Sequence, residues 1–349
     1  MYKRLIRPIL FRFPPEKAHN LTLRLLGILR RIPLARPLIR ACYQRKYPAL
    51  EREVFGLHFP HPVGLAGGLD KDGAHYNILS DFGFSFVEIG SLTPLPQEGQ
   101  PRPRLFRIPR DRALVNRMGI NNKGVLHAID HLKKDPPRVI IGANIAKNSE
   151  SSDEQTPKDY DRAFSLLYDF AGFFVINVSC PNVQGLTGLQ DVSYLSDILD
   201  GILDKRMGME PVKPVLLKLS PDIGTEELDE ILDYALRSGI DGIVAGNTTR
   251  HREGLTLPAA KIEAIGSGGL SGAPLFLRSL EMVRHIHEYT QGRLPIIAVG
   301  GIMSPQQAQQ MLDAGASLIE LYTGFIYEGP ALVKRILKYL DQHASTRSS

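Results

Sequence analysis

Amide and ammonium side chains, rather than carboxylates, occupy the places in this sequence where chemistry could be done. Asn144, Asn177 and Asn247 each close an apolar run, and Cys180 follows three residues after Asn177. Lys71 stands just beyond another run, and Lys218 lies inside one, among Leu216, Leu217 and Leu219. Gly67, Gly68, Ser91, Thr248, Gly300, Gly301, Tyr322 and Thr323 complete the set. A carboxamide both donates and accepts, so a ring of them suits a planar heterocycle with alternating N–H and C=O groups. Each asparagine alone suits a helix cap or a turn equally well. So few acids at these positions argue against a two-carboxylate glycosidase. No His/Asp/Glu cluster has metal-ligand spacing. Cys42 and Cys180 lie too far apart for a disulfide framework and fit a reducing compartment.

The elements that position these residues repeat. Strand-like apolar runs fall at 63–67, 86–91, 139–144, 173–180, 215–220, 242–247, 296–301 and 318–324, with helical patterns between them. Continuous apolar strands separated by helices predict a parallel sheet covered on both faces. Eight such units predict an α/β fold, a (β/α)8 TIM barrel with a short N-terminal helical extension. A doubly wound sheet is the alternative, but no Gly-x-Gly-x-x-Gly follows the first strand. The expected division is an N-terminal segment over 1–45, the barrel over 46–345 and a tail over 346–349. Two stretches, 93–112 and 250–269, break the rhythm, and long barrel loops usually build the active face. In a barrel the listed residues all fall at strand C-termini, where barrel chemistry sits. Gly300 and Gly301 end the seventh strand and Tyr322-Thr323-Gly324 the eighth, the usual place for a phosphate site built from backbone N–H groups. That predicts a phosphate-bearing cofactor such as FMN. An inward Lys218 would stabilise the anionic reduced flavin; a surface ion pair is the alternative, and its leucine neighbours argue against it.

Residues 1–50 carry twelve Lys and Arg against the single acid Glu16. That segment is therefore +11, and the remainder is −6 within a total of +5. Apolar residues crowd among the charges at 21–39, with a break at Pro33. No uninterrupted apolar run is long enough to span a bilayer. Two short cationic amphipathic helices suit an anionic membrane surface; they also suit a helical cap packed on the body with its arginines solvated. Nucleic-acid binding is not expected, since no aromatic interleaving or known motif accompanies the charge.

Taken in order, the motifs become specific. They are Gly67-Gly68-Leu69-Asp70-Lys71-Asp72-Gly73, Phe82-Gly83-Phe84, Val87-Glu88-Ile89-Gly90-Ser91 and Asn116-Arg117-Met118-Gly119. Asn177-Val178-Ser179-Cys180-Pro181-Asn182, Gly246-Asn247-Thr248-Thr249, Gly268-Gly269-Leu270-Ser271-Gly272 and Tyr322-Thr323-Gly324-Phe325 follow. Together they resemble the dihydroorotate dehydrogenases over about residues 54–340, and Pro15-Glu16-Lys17-Ala18-His19 resembles the N-terminal extension of the quinone-linked branch.

The resemblance implies FMN as cofactor and oxidation of dihydroorotate to orotate. It places the flavin against Gly67, Gly68, Leu69, Asp70, Lys71, Ser91, Asn144, Asn177, Lys218, Gly272, Gly301, Tyr322 and Thr323. It places the pyrimidine against Lys71, Asn116, Arg117, Met118, Gly119, Ile120, Asn177, Asn182, Asn247 and Thr248. It makes Cys180 the base and sets His19, Arg107 and Tyr322 along a quinone route. A monomer, peripheral on the cytoplasmic face of the cell membrane and free of metal, is expected. Three positions depart from the quinone-linked pattern: Cys180 stands for the usual serine, Ile120 for a phenylalanine and Gly246 for a threonine. A soluble acceptor such as fumarate is one alternative; a non-catalytic, membrane-attached flavin scaffold is another, opposed by Lys71, Cys180 and Lys218.

Overall fold

A computed structural model describes residues 2–178 and 192–347. Eight parallel strands close a barrel in chain order: β1 (Val63–Leu65), β2 (Phe86–Leu92), β3 (Ile140–Ile145), β4 (Phe173–Asn177), β5 (Val215–Leu219), β6 (Gly242–Ala245), β7 (Ile296–Val299) and β8 (Leu318–Leu321). Each expected strand run contributes one of them. Helices between the strands bury one stripe each. In Thr225–Ser238 that stripe is Leu228, Ile231, Leu232 and Ala235, and Gly239 in the left-handed region ends the helix.

Strand parity sorts the side chains. On β2, Val87 and Ile89 point out under the helices, while Phe86 and Glu88 point in. The same alternation sends Phe173 and Val175, Leu216, Val244, Ile297 and Leu318 into one apolar cluster at the bottom of the barrel. Large and small residues interdigitate there. A Cβ on Gly64 of β1 would lie 2.2 Å from the Phe86 ring, and one on Gly142 of β3 would lie 2.5 Å from Phe173. A hairpin, Arg52–Val54 with Leu57–Phe59, plugs that end. Phe59 is fully buried, with its ring centroid 5.4 Å from that of Phe86.

The two irregular stretches are not plain loops. Leu105–Ile108, Ala113–Asn116 and Gly269–Gly272 form a three-stranded antiparallel sheet with Ala113–Asn116 at its centre. It stands at the C-terminal end of the barrel over its own small core of Ile108, Ala113, Val115 and Leu270. Alternation in these short strands is masked in the sequence by the surrounding Pro and Arg.

The N-terminal segment begins with short helical turns at Tyr2–Ile6 and Arg7–Leu10 and continues in two longer helices, Pro15–Leu29 and Ala35–Tyr43, the second entered through Leu34 at φ 68°. Some of its charges fasten it to the body. Arg36 pairs with Asp81 at 2.5 Å, Lys3 pairs with Glu328 at 2.5 Å, and Arg7 donates to the Tyr327 carbonyl at 3.0 Å. Glu16 accepts from Arg102 at 3.1 Å and from Arg104 at 2.8 Å. Arg4, Arg12, Lys17, Arg24, Arg31, Arg45 and Lys46 are exposed. No helix among the described residues is long and apolar enough to cross a membrane.

Phe86 is the keystone of the bottom layer, touching both Phe59 and Phe173. Replacing a buried Phe by Ala typically costs ~3–5 kcal/mol. Phe86→Ala should lower the unfolding free energy by that amount, read as a lower chemical-denaturation midpoint with an unchanged slope. A loss below about 1 kcal/mol would mean that the plug collapses into the space.

Candidate active site

Above the apolar plug, the next inward position on four of the strands changes character. Phe86 is followed by Glu88, Leu216 by Lys218, Leu318 by Glu320 and Val175 by Asn177. Asn177, Lys218 and Glu320 line the floor of one cleft, partly open to solvent, at the C-terminal ends of the strands, and Glu88 is buried against Lys218. Lys218 Nζ lies 2.7 Å from Glu88 Oε1, and Asn144 Nδ2 donates to the same oxygen at 2.6 Å. Glu88 and Glu320 are 0% and 1% exposed. Burial, then the charge of Glu88, raise the Glu320 carboxyl well above the usual carboxylate range, and Lys218 only partly opposes them. Neither acid was singled out from the sequence. A lone Glu inside an apolar strand run, in Val87-Glu88-Ile89 and again in Ile319-Glu320-Leu321, was the available signal, because such a burial is costly.

The wall brings the expected amides together. Asn116, Asn144, Asn177 and Asn247 all line the cleft, with Lys71, Ser91, Thr248, Tyr322 and Thr323. Asn177 donates to Ser91 Oγ at 2.8 Å, and Asn247 accepts from the Thr248 amide at 2.8 Å. Lys71 donates to Asn121 at 3.1 Å, a wall residue absent from the sequence reading. Gly67, Gly68, Gly272, Gly301, Met118, Gly119 and Ile120 also face the cleft. Ile120 holds φ 52°, a left-handed conformation that costs a β-branched residue ~1–3 kcal/mol. Its carbonyl is held by Gln97 at 3.1 Å and Asn122 at 2.8 Å.

Other expected residues have structural partners instead. The Leu69 side chain joins the main core. The buried Asp70 carboxylate caps a turn, accepting from the Ala74 and His75 amides at 2.8 Å each. Arg117 lies over the Phe106 ring and donates to the carbonyls of Ile265, Ser267 and Pro103. Arg107 donates to the Phe11 and Phe13 carbonyls and so frames the N-terminal segment. His19 and Tyr322 reach the cleft itself. Cys180 and Asn182 lie outside the described residues.

The cleft offers buried polar groups on its floor and close backbone along its wall to a bound cofactor. Glu88 Oε2 and Asn144 Oδ1 are buried without protein partners on the floor. At the far end the backbone runs close to the wall. Gly301 has φ 67°, and a Cβ there would lie 2.5 Å from the Phe276 nitrogen. Gly246 has φ 115°, and a Cβ would lie 2.1 Å from the Val299 carbonyl oxygen, so this backbone accommodates no threonine there. No group of His, Cys, Asp and Glu able to hold a metal occurs among the described residues.

Fold and cleft together define a (β/α)8-barrel enzyme with its site at the strand C-termini. Residues 49–343 match the family model described as dihydroorotate dehydrogenase. The chain is 47% identical over 336 residues to the dihydroorotate dehydrogenase (quinone) of Christiangramia forsetii, covering 96% of this chain and 97% of that protein. It is 44% identical to the protein of the same name from Methylococcus capsulatus, covering 96% and 98%. The crystal structure of ligand-free DHODH from Eimeria tenella superposes with a TM-score of 0.84 at 34% identity, over 93% of this chain and 94% of that one. The chain belongs to the dihydroorotate dehydrogenase family, a flavin-dependent family.

His19 supplies a pH signature. Loss of water around its ring, then the nearby Lys71 charge, push its pKa down to about 3. The folded value lies below the unfolded value of about 6.5. The unfolded chain therefore binds the extra proton first, and stability falls as pH drops from about 6.5 towards 3. In His19→Asn the loss of thermal stability between those pH values should be shallower than in the parent. Parallel melting curves would rule out a His19 held neutral in the folded state.

Proposed function

We propose that this chain oxidises dihydroorotate to orotate with FMN as its flavin and a membrane quinone as final acceptor. The observation that carries the reading is the convergence of Lys71, Asn116, Asn177, Asn247 and Thr248 on one cleft above Lys218, in a chain 47% identical to a quinone-linked relative. FMN is preferred to FAD because no dinucleotide fingerprint occurs in the sequence. The bound flavin would accept hydride from the substrate and pass electrons to the quinone.

The chain's residues have distinct tasks in this reading. Lys71 offers a cation to the substrate carboxylate, and the asparagines match the ring N–H and C=O groups. Lys218 stabilises negative charge at the flavin pyrimidine edge. Cys180, as thiolate, takes the proton from C5; a free thiol has pKa ≈ 8.5, close enough to neutral for this. His19 and Tyr322 flank the quinone route, while Arg107 holds the Phe11 and Phe13 carbonyls at its edge. Residues 1–45 form the quinone-access segment, 46–345 the catalytic barrel and 346–349 a tail. The protein works as a monomer on the cytoplasmic face of the membrane, seated by exposed Leu25, Ile28 and Leu38 among exposed Arg24 and Arg31.

Steady-state turnover with dihydroorotate tests the reading. A quinone should support it and fumarate should not, and the released cofactor should have the mass of FMN. Fumarate turnover at the quinone rate, or FAD, would overturn it. Removing a general base typically costs ~10²–10⁴ in rate. Cys180→Ala should therefore slow flavin bleaching by dihydroorotate by about that much and leave reoxidation by quinone nearly unchanged. A parent-like bleaching rate across pH would assign the base elsewhere. Arg24→Glu with Arg31→Glu should abolish sedimentation with anionic vesicles, and added salt should weaken the parent's binding. Undiminished binding by the double variant would remove this surface from the membrane contact.

A further inference from the structure

The cleft floor holds more acceptors than donors. Glu88 Oε1 takes Lys218 and Asn144. Glu88 Oε2, Asn144 Oδ1 and both Glu320 oxygens are left buried with no protein donor. Buried polar atoms are almost always hydrogen-bonded, and each exception demands an explanation. Glu320 projects from β8 and Glu88 from β2, on either side of β1, and a Cβ on Gly67 just past the end of β1 would lie 2.3 Å from Glu88 Oε1. Glu88 bears on Glu320 as a neighbouring like charge. Two buried carboxylates side by side repel, whereas one carboxylic acid beside one carboxylate can share a proton. The charges agree. Lys218 and Glu88 cancel as an ion pair, so an ionised Glu320 would stand uncompensated in the barrel interior.

We propose that Glu320 is a neutral carboxylic acid that donates its proton to Glu88, so that Glu88 accepts from Lys218, Asn144 and Glu320 together and the floor beneath the cofactor carries no net charge. Glu320 is a positioning residue in this arrangement. It lines the cleft and acts through Glu88, fixing the partner that orients the Lys218 ammonium. The consequence for the flavin rests on the proposed function. An ionised Glu320 would oppose negative charge on the reduced cofactor, whereas the neutral acid leaves the Lys218 cation to favour it. The protonation itself stands on the floor geometry, whichever cofactor the cleft holds. Glu88 from β2 and Lys218 from β5 are the charged groups that act on Glu320. Burial and the Glu88 charge both act in the direction that retains the proton.

Infrared difference spectroscopy of the purified holoenzyme tests this. At neutral pH the parent should show a protonated-carboxyl C=O band that shifts in D2O. The band should be missing in Glu320→Gln and displaced in Glu88→Gln, where the acceptor changes from carboxylate to amide. Glu320→Gln should retain its flavin, because the Gln amide also donates to Glu88. Raising the pH should bleach the band in the parent and, as the charge develops, lower the flavin reduction potential; the Gln variant should lack that extra pH-dependence. No band in the parent at neutral pH, or a band that survives Glu320→Gln, would overturn the proposal. The parent measurement decides even where a variant fails to fold. A bound FAD, or fumarate turnover, would count against the proposed function and leave this result untouched.

Discussion

A buried ammonium–carboxylate pair, Lys218 with Glu88, is the constraint on which this barrel is organised. Taking either charge out of water costs several kcal/mol, and the pair is tolerable only with good geometry and with hydrogen bonds for the remaining atoms. The 2.7 Å contact and the Asn144 amide at 2.6 Å provide both. They also demand that β2, β3 and β5 hold their register, because a one-residue slip would turn Glu88, Asn144 or Lys218 outward under the helices. The apolar layer beneath serves the same end. Phe59, Phe86 and Phe173 interlock, with Gly64 and Gly142 making room for two of the rings. A dry, closed bottom leaves the polar floor open on one side only, towards the cleft.

That arrangement explains what is legible in the sequence. The barrel strands were legible because they are buried on both faces and so read as continuous apolar runs. Lys218 was legible because a lysine flanked by three leucines has to point somewhere unusual. The amides were legible because strand C-termini are where barrels place chemistry. Glu88 and Glu320 were not found, since attention to strand ends overlooks the position two residues earlier on the same inward column. Reading each strand by parity from Phe86, Leu216 and Leu318 leads directly to Glu88, Lys218 and Glu320.

The remaining differences have equally local causes. Asp70 and Arg117 belong to motif segments, yet their side chains tie down backbone, one as a turn cap and the other as a clasp on three carbonyls. A motif match reports that a segment matters and does not distinguish a side chain facing the cleft from one holding the segment in place. The sheet of Leu105–Ile108, Ala113–Asn116 and Gly269–Gly272 has its local hairpin masked by the surrounding Pro and Arg, and takes its third strand from a distant segment that no local pattern announces. Its residues Leu105, Leu114, Asn116 and Ser271 nevertheless form one wall of the cleft.

The N-terminal charge resolves in the same way, by asking what each cation touches. A cap packed on the body and a surface turned outward were competing readings of one composition, and the segment divides its charges between the two. Lys3, Arg7, Arg30 and Arg36 reach across to Glu328, Tyr327, Ala74 and Asp81, and Glu16 anchors the longer helix to Arg102 and Arg104. These contacts hold Pro15–Leu29 so that His19 meets the cleft wall. Arg4, Arg12, Lys17, Arg24 and Arg31 make up most of the exposed remainder, interspersed with Leu5, Ile9, Leu25, Ile28 and Leu38, each more than half exposed. A segment that was only a cap would bury those apolar side chains against the barrel, and a free membrane anchor would not need the ion pairs. Holding both sets at once fixes the exposed apolar side chains at one orientation relative to the cleft wall that His19 meets.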